Sequence, residues 1–89
     1  MLNSNDRENL HLTVSSYNPT RVGLDKIIEE LKKHCQKINL KRYDENDQII
    51  EASFLIELKN YKALTETKDK LKSIDPSISI SFLDNKGVF

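Results

Sequence analysis

The sequence predicts an α+β fold: a four-stranded antiparallel sheet in the order 4-1-3-2, with two helices on one face. Three observations carry this. A strand, helix, strand order of hydrophobic patterns spans residues 10–44, and the same order returns over 48–83. The third strand pattern is apolar on most of both sides, which places it inside the sheet beside the first. The links are short, and with right-handed crossovers few other topologies remain.

Each element has its own signal. Leu10, Leu12 and Val14 alternate with His11, Thr13 and Ser15, the two-residue period of a strand with one buried face. Asn18-Pro19-Thr20 breaks that strand. Leu24, Ile27, Ile28, Leu31 and Cys35 then form one helical stripe, with Lys26, Glu29, Glu30, Lys32 and Lys33 on the other side. Gly23 belongs at the helix entrance, because glycine inside a helix costs roughly 1 kcal/mol against alanine. In the second strand Ile38, Leu40 and Arg42 alternate with Asn39, Lys41 and Tyr43, and the polar run Asp44-Glu45-Asn46-Asp47 closes a hairpin.

The third strand presents Ile50, Ala52, Phe54, Ile56 and Leu58 on one side. Ile49, Glu51, Ser53, Leu55 and Glu57 lie on the other. A second helix over residues 61–73 turns Tyr61, Leu64, Leu71 and Ile74 inward and stops at Asp75-Pro76, since the residue before proline is pushed out of the α region. Residues 77–83 alternate Ile78, Ile80 and Phe82 with serines as the fourth strand. Asp84-Asn85-Lys86-Gly87 turns into a short tail. Together these describe a ferredoxin-like βαββαβ sandwich. Residues 10–89 form one domain, and the polar stretch 1–9 reads as a linker.

Composition excludes several functions. The 14 basic and 14 acidic residues cancel, unlike a nucleic-acid domain whose affinity comes from uncompensated Lys and Arg. The same balance argues against a polybasic membrane-surface module. No apolar run is long enough to span a bilayer. With one cysteine, Cys35, neither an internal disulfide nor a thiolate cluster can form.

The chemistry-bearing residues are scattered. His34 and Cys35 are neighbours on a helix and point about 100° apart. His11 lies on the free sheet face with no third ligand at the usual spacing. Glu51 and Glu57 share a strand face but stand ~20 Å apart, beyond the reach of an acid–base pair. They read as solvated charges. Gly23 and Gly87 are the only glycines, so no phosphate-cradling glycine loop exists. No catalytic set, metal site or cofactor is expected. An RNA-recognition surface is not expected either: the free face offers His11, Thr13, Ser15, Glu51, Ser53, Leu55 and Glu57, without a stacking platform. Arg21 stands where acylphosphatases carry a phosphate-loop arginine, but no nest-forming glycines surround it.

Two places remain for a partner. Asn18, Arg21 and Gly23, in the loop entering the first helix, are the candidate ligand-binding residues, because amides at a helix start hold anions or small polar ligands. The second place is an edge of the sheet. The second strand carries Lys37, Lys41 and Arg42, charges that block edge pairing. The fourth strand has no charge over residues 77–83, which makes Ser77, Ser79, Ser81 and Leu83 the candidate interaction edge. That edge is either covered by the tail of residues 84–89 or paired with another chain.

The element order and Gly23-Leu24-Asp25-Lys26-Ile27-Ile28 after a loop resemble an ACT-type regulatory domain. In that group the glycine-containing loop and a neighbouring subunit form an amino-acid site. The Pro-Gly or Arg-Pro-Gly turn usual there is absent here. Three stretches resemble the cytosolic C-terminal domain of a bacterial multi-pass membrane protein family of unknown function, associated with polyphosphate-polymerase-like proteins. They are Asn39-Leu40-Lys41-Arg42-Tyr43-Asp44, Glu51-Ala52-Ser53-Phe54-Leu55 and Ile80-Ser81-Phe82-Leu83-Asp84-Asn85-Lys86-Gly87. The architecture is also similar to the soluble domain of MgtC-type magnesium-stress membrane proteins. These resemblances imply a domain on the cytoplasmic face of the bacterial inner membrane. The expectation is a non-enzymatic regulatory or assembly domain, acting as a homodimer or against an attached membrane portion. The alternative is a sensor of an amino-acid-like or anionic ligand.

Overall fold

The computed structural model describes residues 10–84. The elements are β1 (Leu10–Ser16), α1 (Leu24–His34), β2 (Cys35–Glu45), β3 (Ile50–Leu58), α2 (Lys62–Ile74) and β4 (Ser79–Asp84). The sheet runs β2-β3-β1-β4 with every neighbouring pair antiparallel, which is the expected 4-1-3-2 order counted from the other edge. The fold class expected from the sequence is the one observed. The proposed linker over 1–9 and the turn through Asn85, Lys86 and Gly87 lie outside the described residues.

Burial sets the register. Leu12 of β1 stands opposite Phe54 and Phe82, and Val14 opposite Ala52 and Ile80. Leu12, Val14, Ile50, Ala52 and Phe54 are completely buried on the face toward the helices. Ile27 and Leu31 of α1 and Ala63, Thr67 and Leu71 of α2 close the layer above them. Val22 and Ile78 fill its ends from the connections. Burying one side chain such as Phe54 or Leu12 contributes about 1.5–3 kcal/mol, so this single layer dominates the stability. On the opposite face the Thr13 and Ser53 hydroxyls meet at 3.1 Å. Glu57, expected to be solvated, is buried there opposite Lys37.

Three local expectations are corrected. Helix α1 ends at His34, so Cys35 is not helical. Its backbone is extended (φ −120°, ψ 143°), its N–H donates to the Leu31 carbonyl, and it already pairs with Leu58. No loop intervenes because Lys59 takes up two carbonyls of the last turn. Its N–H donates to His34 O at 3.1 Å and its Nζ to Lys33 O at 3.2 Å. Cys35 keeps its inward place, and burial pushes the thiol up to about 11, which makes it a packing group rather than a nucleophile.

In α2, Tyr61 is 79% exposed instead of inward. Asn60 sets the phase: its Oδ1 accepts the Ala63 N–H at 2.9 Å, so that Ala63, Thr67 and Leu71 face the sheet and Leu64 and Ile74 flank them. Finally, β4 begins at Ser79. Ser77 belongs to the preceding turn, where its N–H and Oγ both donate to Asp75 Oδ1 (3.1 and 2.9 Å), so it is not part of the strand edge.

Candidate ligand-binding cleft

The segment joining β1 to α1 is fixed at both ends. Ser16 Oγ accepts the Asn18 N–H at 3.0 Å, and Asn18 O accepts from Arg21 N and Val22 N at 3.0 and 2.9 Å. This tight turn carries Pro19 and Thr20 at its tip, and Val22 is anchored in the core with no exposure. The second anchor comes from the far end of α2. Asp75 Oδ2 accepts from Ser16 Oγ at 2.8 Å and from Asn18 Nδ2 at 3.1 Å. Asp75 is buried, and the Asn18 amide and Ser16 hydroxyl, with Ser77, hold its carboxyl well below the usual carboxylate range. A buried carboxylate with four donors ties the loop rigidly to the turn before β4.

Past this anchor the chain opens into a cleft of about 430 Å³, lined by Thr20, Arg21, Gly23, Leu24, Asp25, Lys26, Tyr43 and Glu45. No lining residue is buried. One wall is the loop and first turn of α1; the other is the end of β2. One of two irregularities in β2 builds that second wall. Ile38 and Leu40 stand opposite Ile56 and Phe54 on the helix side. The register then shifts between Leu40 and Arg42, leaving Lys41 as an extra residue. The shift exchanges the faces. Tyr43 opposite Ala52 and Glu45 opposite Ile50 now point to the helix side, while Arg42 and Asp44 point away. The other bulge, at Gln36, does the same for Cys35 and Ile38, which otherwise would lie on opposite faces.

The electrostatics of the cleft are mixed. Arg21 and Lys26 supply two positive charges, Asp25 and Glu45 two negative ones. The Tyr43 hydroxyl donates to Glu45, and that hydrogen bond raises the phenol above its ordinary value. Gly23 is the N-cap of helix α1 and brings no side-chain cap, and residues 23–26, the helix entrance and first turn, line the cleft. The lining holds neither imidazole nor thiol, so it lacks a group that ordinarily titrates near neutral pH. Two cations, two carboxylates and a phenol thus surround one opening, a set that can pair with both ends of a dipolar molecule.

Of the loop residues read from the sequence, Arg21 and Gly23 line the cleft and Asn18 does not. Asn18 spends its amide on Asp75. Tyr43, Glu45, Asp25 and Lys26 carry no local signal of a site, and Asp75 reads in the sequence only as a helix stop. An Asp-Pro-Ser turn signals a local Asx bond, but partners 57 and 59 residues away leave no mark in the sequence. On the far edge, Ser79, Ser81 and Leu83 of β4 are exposed on the outer face, opposite Ser15, Thr13 and His11. Among the described residues no group of three or more His, Cys, Asp or Glu is placed to hold a metal, and no helix is long and apolar enough to cross a membrane.

No protein-family model and no curated protein matches the sequence. Among solved structures, the chain is similar to the ACT domain from GTP pyrophosphokinase of Chlorobium tepidum. The TM-score is 0.57 at 19% identity, over 83% of this chain and 95% of that one. The chain has an ACT-like fold. It is also similar to the de novo designed protein Foldit4, with a TM-score of 0.54 at 11% identity, covering 83% of this chain and 90% of that one. A designed neighbour shows that the ACT-like arrangement of helices and strands is a matter of architecture, and the function has to be sought in the cleft.

Proposed function

We propose that this is a non-catalytic regulatory domain that senses a small zwitterion of amino-acid type in the cleft between the β1–α1 loop and β2. The observation that carries the reading is the pairing of opposite charges around one opening: Arg21 and Lys26 beside Asp25 and Glu45, with Tyr43 between strand and helix. A carboxylate fits the arginine and the uncapped helix start, and an ammonium fits the carboxylates. The ACT-like fold supports the reading, since the similar natural structure is a domain of a larger enzyme. Catalysis has no support in the lining. The resemblance of the 39–44 and 51–55 stretches to a cytosolic domain of bacterial multi-pass membrane proteins supports a place on the cytoplasmic face of the inner membrane, with the signal passed to an attached membrane portion.

The test is a thermal-shift and calorimetric screen of the standard amino acids, with acetate and ethylamine as single-charge controls. At least one amino acid raises the melting temperature and the single-charge controls do not, because a ligand that binds only the folded state stabilises it by mass action. Arg21→Ala and Tyr43→Ala abolish the response and leave the ligand-free melting temperature unchanged, since both side chains are exposed. A flat response to every amino acid, or a response that survives Arg21→Ala, overturns the reading.

A further inference from the structure

We propose that the outer edge of β4 is a self-association surface, where a second copy of this chain pairs antiparallel over residues 79–83 about a two-fold axis at Ser81. The proposal is independent of the cleft, whose strand wall belongs to β2 at the other end of the sheet.

The two edges of this sheet are built differently. β2 carries Lys37, Lys41, Arg42, Asp44 and Glu45 and is interrupted by bulges at Gln36 and Lys41. Charges and bulges of this kind prevent another strand from docking. β4 has neither device. Its pairing with β1 is uninterrupted from Ser79 to Asp84, and residues 79–83 carry no charge. Every second residue of β4 turns its N–H and C=O away from β1, and among the described residues no other strand pairs with them, so the edge offers backbone partners in a straight row.

The side chains choose the occupant. In an antiparallel pair, residues directly opposite share a face, so a continuous sheet with all helices on one side needs a two-fold centred on a residue. Centring it on Phe82 would set the Asp84 carboxylate against Ile80. Centring it on Ser81 sets Ile80 against Phe82 of the second copy, Ser79 against Leu83, and Ser81 against itself. Ile80 and Phe82 are half-buried and pack on the core from its rim. Each would gain an apolar neighbour on its open side, extending the rows Val14–Ile80 and Leu12–Phe82 across the axis. Every pair in this register is uncharged, and apolar residues on the helix side meet only apolar residues. The segment is complementary to itself.

Sedimentation velocity on the full chain from micromolar to millimolar concentration tests this. The expected result is a reversible monomer–dimer equilibrium. Ser81→Lys and Ser81→Glu each abolish it, because like charges face each other at the axis, and mixing the two variants restores a dimer. Ser81 is exposed, so both variants keep the melting temperature of the parent at low concentration. Asn39→Lys on the β2 edge leaves association unchanged. Amide exchange in residues 79–83 slows with rising concentration in the parent, an independent readout should either variant fail to fold. A parent that stays monomeric at millimolar concentration, a dimer that survives Ser81→Lys, or a mixture that stays monomeric overturns the proposal.

Discussion

Gly23→Ser should stabilise the domain although it alters the glycine at the mouth of the cleft. Gly23 precedes α1 with φ −87° and ψ 165°, the extended conformation of a helix N-cap, which any L-residue adopts without strain. A Cβ placed there meets nothing within 4 Å. The Gly23 carbonyl already accepts from Lys26 N at 3.1 Å and Ile27 N at 3.2 Å, but no side chain caps the helix. Serine would bring an Oγ to the amides of Asp25 and Lys26. The cap is worth a few tenths of a kcal/mol over glycine. That figure is a net one and already contains the restriction of the unfolded chain, so the whole gain is a few tenths of a kcal/mol, or about 1–2 °C in melting temperature for a domain of this size. Urea titration should show a higher midpoint with an unchanged slope. Gly23→Ala shares the unfolded-state gain but is a poor cap, so it should fall below the serine variant by about 1 kcal/mol. A serine variant no more stable than the parent, or an alanine variant equal to it, would refute the capping reasoning.

Two further outcomes follow from buried polar groups. Thr67 is fully buried, and its Oγ1 donates at 2.7 Å to Ala63 O, a carbonyl that the helix ladder already uses. Burying a hydroxyl costs ~1–3 kcal/mol and the bond returns ~0.5–1.5. The isosteric Thr67→Val should therefore raise stability by about 1 kcal/mol in urea titration, and a clear loss would reveal a further role for the hydroxyl. Asp75 titrates below its ordinary value in the folded state, so its contribution is complete above the usual carboxylate range and is lost as pH falls through and below it. Acid unfolding of Asp75→Asn should accordingly depend less steeply on pH below ~4 than that of the parent; equal slopes would mean that the carboxylate is not held by Ser16, Asn18 and Ser77.

The fold was legible because burial writes itself into periodicity. Leu12 and Val14, or Ile27 and Leu31, are spaced as they are because one layer must be filled from a strand and from a helix. The same rule misleads where size stands in for position. Tyr61 looks like an inward aromatic, yet the Asn60 cap turns it out and gives the core face to Ala63 and Thr67. Cys35 fits the helical stripe of Leu24, Ile27, Ile28 and Leu31 and is out of step with Ile38 and Leu40, so spacing assigns it to α1; only the bulge at Gln36 gives it a buried place in β2. Half of the cleft was visible for a local reason: Arg21 and Gly23 lie in a loop whose turn residues are contiguous. Asp75, which holds that loop, joins it from the far end of the chain.

The other half of the cleft was hidden by a single residue. Plain alternation through β2 would send Tyr43 and Glu45 to the outer face with Asn39, away from α1, and would put Arg42 and Asp44 on the helix side in their place. The extra residue at Lys41 reverses that parity, and the exposed end of the strand accepts the reversal at little energetic cost because none of residues 41–45 is buried. The same bulge makes β2 a poor edge for pairing. One irregularity thus does two things: it brings Tyr43 and Glu45 to the cleft, and it leaves β4 as the edge suited to another strand. The proposed ligand cleft and the proposed pairing edge therefore lie at opposite ends of the sheet, and each is open to substitution without touching the residues of the other.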